Sequence, residues 1–167
     1  FPYIVALALA SKLADRPVRW VEDRLEHLTA ASSATNRVTA LEAAVDENGR
    51  ILALDYDQLD DCGAYLRAPE PATLYRMHGN MTGAYDVAHL RIRNRVVLTN
   101  KTPSGLNRGF GGPQVYFALE SLVRRISERL NLPLTDVIER NLVTSDAMPY
   151  TTVSGALLDS GHYAATM

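Results

Sequence analysis

Apolar positions along the chain mark out its elements before any single motif does. Ile4, Val5, Leu7, Ala8, Leu9 and Leu13 cover most of a helical circumference, which predicts a helix over residues 2–14 buried on several sides. Pro17 ends it, because proline disfavours helical backbone at Arg16. The run VRWVED then reads as a strand. RVTALEAAVD and ILALDYDQL read as two strands joined by ENGR, where Asn48–Gly49 accepts positive φ and signals a hairpin. HLRIRNRVVLTN alternates as a further strand, preceded by an irregular stretch with a short helix near residues 72–77. The clearest helix spans 113–130, where Val115, Leu119, Leu122, Ile126 and Leu130 form one stripe and Glu120–Arg124 an outward i,i+4 pair. Another helix is expected over 135–142. Strands and helices mix without regular βαβ alternation, so the fold class is α/β or α+β, with helices packed on a mixed sheet.

Composition narrows the function classes. A chain of 167 residues with 47% hydrophobic and 22% charged residues has the makings of one ordinary folded domain. Its net charge of −2 offers no basic field for nucleic acid, and Arg91, Arg93 and Arg95, spaced by two, read as one solvated strand face. The longest apolar run, residues 4–10, is far short of a membrane span. Cys62 is the sole cysteine, so the chain holds no disulfide framework and no iron–sulfur spacing. That suits a reducing compartment, which points to the cytoplasm and leaves the periplasm open. The chain opens without Met and stops inside a helix-like pattern. Residues 1–167 are therefore read as one internal piece of a larger polypeptide.

Candidate chemistry concentrates in PSGLNRGFGGPQ, residues 103–114. Gly109, Gly111 and Gly112 allow close backbone approach, and their N–H groups beside a helix start can form an anion-receptive nest. Arg108 adds a fixed positive fork, and Phe110 a flat apolar plate. Read from the residues alone, the stretch is either a ligand cradle or a glycine-rich strand exit with Phe110 in the core. It is neither a dinucleotide fingerprint nor a phosphate loop, since Gln114 stands where the last glycine would fall and no Gly-Lys-Ser/Thr follows.

Other constellations are weaker. His27, His78, His89 and His162 lack metal-ligand spacing, so no metal ligand is assigned among them. Asp55 and Asp57 share a strand face and Asp60 and Asp61 lie toward a loop, which reads as a solvated acidic edge. DENGR resembles the start of a calcium loop but lacks the later ligands. The carboxylates beside Cys62 should raise its thiol pKa and argue against an activated thiolate.

VLTNKTPSGLNRGFGGPQVYFALE resembles the cofactor-binding large subunit of the molybdenum hydroxylases, the family of xanthine dehydrogenase, aldehyde oxidase and aerobic carbon monoxide dehydrogenase. ALASKLADRPVRWVEDRLEHL, the hairpin and MPYTTVSGALLDSGHY extend the likeness over most of the chain. The resemblance implies an oxidoreductase that hydroxylates an aldehyde or aromatic heterocycle with oxygen from water. It implies molybdenum on molybdopterin, often as the cytosine dinucleotide in bacteria. It also implies iron–sulfur and flavin (FAD) partner domains or subunits beside the rest of the large subunit. By position, Arg108, Gly109 and Gly111 would hold the cofactor. Phe110, Asn107 and Arg76 would line the substrate. Gly109 stands where the carbon monoxide enzymes carry a copper-binding cysteine, so neither copper nor carbon monoxide oxidation is expected. Asn107 replaces an aromatic residue of xanthine dehydrogenase and puts purine specificity in doubt. The family's upstream Gly–Gly–Phe–Gly–Gly loop and its downstream catalytic glutamate are not in this sequence. No catalytic residue is assigned here, and the piece alone is expected to be inactive. The competing readings are a non-catalytic scaffold or interface domain and a nucleotide-binding domain.

Overall fold

The computed structural model describes residues 2–167, in two compact units, residues 2–31 and Ser32–Met167. In the first unit, α1 spans Pro2–Ala14 as the sequence predicts. Its apolar circumference is not buried, however: Ile4, Val5 and Leu13 are more than 60% exposed, because no element of this unit covers them. The expected strand VRWVED is absent, and Asp23 instead caps a helix, α2, at Arg24–Ala30. Asp23 Oδ1 accepts from the Glu26 N–H at 2.8 Å, and Glu26 Oε2 accepts from the Asp23 N–H at 3.0 Å. This reciprocal capping box satisfies two N–H groups that the first turn would leave unpaired. The Tyr3 and Trp20 rings pack 4.5 Å apart between centroids.

The second unit is built on the predicted hairpin. Strands β1 (Asn36–Val45) and β2 (Ile51–Asp61) pair antiparallel, with a bulge at Ala44/Val45. The turn closes because Asp46 Oδ1 accepts from the N–H groups of Asn48 and Arg50, at 2.9 and 2.8 Å, and Gly49 takes φ +84°. Strand β3 (His89–Val97) pairs parallel to β2, giving a mixed sheet in the order β1-β2-β3. A parallel partner needs a long crossover, and it passes through the short helix α3 (Ala72–Tyr75).

Helix α4 (Gly112–Leu130) buries Val115, Leu119, Val123 and Ile126 against Ile51, Leu54 and Tyr56 of β2. The predicted stripe is rotated slightly, with Val123 at its centre and Leu122 and Leu130 only partly buried. Helix α5 (Leu134–Asn141) is tied to the hairpin turn by Asn141, whose Nδ2 donates to Gly49 O and whose Oδ1 accepts from the Ile51 N–H, both at 2.8 Å. The tail carries a two-stranded ribbon, β4 (Tyr150–Thr151) and β5 (Leu157–Leu158), and a 3-10 turn at Tyr163–Thr166 follows it.

Three charge assignments change. Glu120 does not pair with Arg124: both its oxygens accept from the Tyr85 hydroxyl, at 3.1 and 2.9 Å, while Arg124 donates to Glu128. Asp60 is not on a solvated edge, because register places it opposite Arg37 beneath α4, and the two side chains are each 1% exposed. The exposed arginine face is partnered rather than merely solvated: Arg91 pairs with Asp55, and Arg93 and Arg95 both approach Asp57.

Candidate functional site

The stretch from β3 to α4 carries the candidate residues, and its first half is fastened down. Ser104 N–H donates to Cys62 O, Ala64 N–H to Lys101 O and Thr99 N–H to Gly63 O, at 2.9–3.0 Å. Gly63 is required here, since a Cβ would lie 2.3 Å from Thr102 O. Asp61 anchors the same strip: it accepts from Thr99 Oγ1 at 2.6 Å and the Gly63 N–H at 3.0 Å, and pairs with Lys101 Nζ at 2.5 Å. The Lys101 contact above all, then Thr99 and Gly63, holds the Asp61 carboxyl down to about 2.

The second half departs from ordinary backbone. Gly109, Phe110 and Gly111 are three successive residues with positive φ, at +90°, +48° and +89°. Such geometry is costly for Phe110, an L-residue with a bulky side chain, and persists only where the surroundings enforce it. Two turn bonds do so, from Phe110 N–H to Asn107 O at 3.1 Å and from Gly112 N–H to Gly109 O at 2.8 Å.

Gly111 makes the closest approach. A Cβ there would lie 1.9 Å from the carbonyl oxygen of Thr73, so only glycine lets the loop sit against α3. Thr73 is itself held by Glu70, whose Oε2 accepts from the Thr73 hydroxyl at 2.6 Å. Arg76, at the end of α3, then reaches over the Phe110 ring, 5.2 Å from guanidinium carbon to centroid.

Two of the candidates, Arg76 and Phe110, are thus brought together although 34 positions separate them. Phe110 is half-buried, while Asn107, Arg108 and Gly109 are exposed at the loop tip. Asn107 Oδ1 turns back to accept from the Arg108 N–H at 2.8 Å. Gly111 is buried, so its observed work is the contact with α3. The sequence placed a short helix here but gave Thr73 and Glu70 no role, because the contact of Thr73 with Gly111 depends on the path of the crossover and not on a local pattern.

Three of the histidines have partners of their own. His27 pairs with Glu22 at 2.8 Å, His78 contacts Asn94, and His162 Nδ1 accepts from the Ala165 N–H at 3.1 Å. Among the described residues, no three His, Cys, Asp or Glu side chains gather as a metal site. Cys62 is buried, and burial first, with Asp60, Glu70 and Asp61 adding to it, pushes its thiol up.

Residues 1–142 match the family described as the molybdopterin cofactor-binding domain. The chain is 36% identical over 151 residues to the gamma subunit of the 6-hydroxypseudooxynicotine dehydrogenase complex of Paenarthrobacter nicotinovorans, covering 90% of this chain and 19% of that one. It is 30% identical to the carbon monoxide dehydrogenase large chain of Hydrogenophaga pseudoflava, covering 98% of this chain and 21% of that one. Among solved structures, quinoline 2-oxidoreductase from Pseudomonas putida 86 superposes with a TM-score of 0.91 at 33% identity, covering 99% of this chain and 21% of that one. The chain spans about a fifth of the length of these relatives.

Proposed function

The chain belongs to the molybdopterin cofactor-binding domain family, and from that premise we propose that it forms one wall of the cofactor and substrate site in the large subunit of a molybdenum-dependent hydroxylase. The observation that carries this reading is the meeting of Arg76 and Phe110 at a loop whose glycines take positive φ and whose tip, residues 107–109, is exposed. The loop fits the group it would hold. Gly109 has no side chain at the exposed tip, and Arg108 beside it supplies a fixed positive charge for an anionic cofactor. Gly109 cannot be filled without displacement, since a Cβ would come within 2.7 Å of the Pro113 ring.

In this arrangement Arg108 and the backbone of Gly109 hold the cofactor, and Gly111 fixes their position through its seat on Thr73. Phe110 presents a ring against which a planar substrate stacks, and Arg76 holds that ring from α3. When bound, the molybdenum cofactor supplies the two-electron oxidation of an electrophilic carbon, with water as the oxygen source. The finer assignments are a cytosine dinucleotide form, electron transfer to iron–sulfur and FAD domains or subunits, a cytoplasmic setting, and an aldehyde or aromatic heterocycle as substrate. Likeness to proteins named for quinoline and hydroxylated nicotine derivatives supports the heterocycle.

The test is the full-length subunit with its partners, assayed for molybdenum by mass spectrometry and for dye reduction with quinoline-like heterocycles and aromatic aldehydes. Arg108→Ala is expected to lower molybdenum content and to cut kcat/KM by about 100-fold, the size of effect that preorganised electrostatic groups have. Full molybdenum content with near-unchanged kinetics in Arg108→Ala would overturn the assignment.

A further inference from the structure

Between β1 and α4 runs an open trough that the proposed site does not use. Strand β1 stands at the edge of the sheet, with β2 as its one strand neighbour. One row of its N–H and C=O groups therefore faces away from the ladder. Its inward-facing residues Arg37, Thr39, Leu41, Ala43 and Val45 line two consecutive cavities of about 290 and 360 Å³. The far wall is one face of α4, marked by Phe117, Ser121, Arg125 and Arg129 at helical spacing.

The chemistry of this trough is apolar and basic. Phe117 is 77% exposed, and no carboxylate lines either cavity. Arg37 is neutralised by Asp60, but Arg125 and Arg129 have no ion-pair partner among the described residues, whereas their neighbour Arg124 is paired with Glu128. The spacing also fits a strand. Residues i and i+4 of a helix are about 6 Å apart along its axis. Residues i and i+2 of a strand, which share one face, are about 6.8 Å apart.

We propose that this trough receives an extended segment of the large subunit lying outside this chain, added to β1 as a further strand. Its inward side chains are apolar, with two carboxylates in alternate positions opposite Arg125 and Arg129. The inference rests on the reading that the chain is part of such a subunit, of which it spans about a fifth in its relatives. Helix α1 is a poor occupant despite its exposed apolar residues. Its sequence PYIVALALASKLA holds no carboxylate, and its helical backbone has no free row to pair with a strand edge.

The experiment uses the full-length subunit. Amide hydrogen exchange is read at residue resolution over residues 36–45. The Arg125→Lys/Arg129→Lys variant is treated with a carbodiimide, and the zero-length cross-links are mapped by mass spectrometry. The outward N–H groups of β1 are expected to exchange within about 10-fold of those bonded to β2. The lysines are expected to join to Asp or Glu in a segment beyond residues 1–167. Outward amides exchanging 100-fold faster than their neighbours would overturn the proposal. So would cross-links confined to this chain, its first unit or a second copy. Molybdenum content measured on the same sample separates the two claims. A metal-loaded subunit with an unprotected β1 refutes the added strand alone. A protected β1 in a subunit that binds no molybdenum refutes the functional reading alone.

Discussion

The guanidinium of Arg76 lies over the Phe110 ring, 5.2 Å from its centroid, and so links α3 to the glycine loop. A cation held over an aromatic face at an exposed site contributes about 0.5–1 kcal/mol, roughly a 2–5-fold effect on any step that needs the ring held still. In the full-length subunit, Arg76→Ala is expected to raise KM for an aromatic substrate by that factor with kcat within about twofold. Arg76→Lys should recover part of the loss, because it keeps the cation, and an aliphatic aldehyde should feel neither change. Steady-state kinetics with both substrates checks this. Equal losses for the two would show that Arg76 does not act through the ring.

Gly111 carries the second prediction. A methyl group there meets the Thr73 carbonyl at 1.9 Å, on backbone with φ +89°. Either α3 moves away or the loop refolds, so Gly111→Ala is expected to cost roughly 2–4 kcal/mol in urea unfolding, the range of backbone strain plus a steric clash. Gly155 also has φ +93°, but a Cβ there meets nothing within 4 Å. Gly155→Ala, as the control, should cost about 1 kcal/mol, from backbone conformation alone. Similar losses at both positions would remove the special role of the Thr73 contact.

What was legible in the sequence is what repeats locally. Asn48–Gly49 announced the hairpin, and the apolar stripe of α4 was visible to within one residue's rotation. The loop could be read because three glycines and an arginine crowd into a few positions. The capping box Asp23/Glu26 was also present as a signal, but the apolar run before it suggested a strand and masked the helix that follows. The rest depends on register and long crossovers, which no local pattern encodes. Arg37 meets Asp60 only because the hairpin pairs at that register, and Glu120 finds Tyr85 rather than Arg124 only once α4 is docked. Arg76 meets Phe110 because Gly111 lets the loop settle on α3.

Cys62 should be inert despite being the sole thiol. It is buried, and burial and nearby carboxylates raise its pKa, so little thiolate is present near neutral pH. Reaction with Ellman's reagent at pH 7.5 is expected to be at least about 10-fold slower in the native chain than in urea. Equal rates would place Cys62 at an accessible, activated position instead.

Asp61 gives a pH signature. Its carboxyl titrates at about 2, below the ordinary value near 3.9, chiefly because of Lys101 and then Thr99. A lowered folded-state pKa means that the unfolded chain takes up the proton first as pH falls. The stabilising contribution is therefore complete above about pH 4 and fades between about 4 and 2. The stability gap between wild type and Asp61→Asn should shrink across that window. A gap that stays constant from pH 5 to 2 would show that Asp61 does not titrate against Lys101.

Arg37 and Asp60 form an ion pair buried beneath α4. Arg37 Nε and Nη2 donate to the two Asp60 oxygens at 3.2 Å, and both side chains are 1% exposed. Removing one charge strands the other away from water, which costs about 3–5 kcal/mol, whereas replacing both by apolar groups of similar volume is often neutral. Asp60→Asn is therefore expected to be strongly destabilising. Arg37→Met/Asp60→Leu should recover most of that loss, to within about 1–2 kcal/mol of wild type. Equilibrium urea unfolding of the three chains supplies the comparison. If the double variant proved as unstable as Asp60→Asn, the pair would be holding the fold by more than mutual neutralisation. The unpartnered Arg37 Nη1 would then be the first place to look for a bound water.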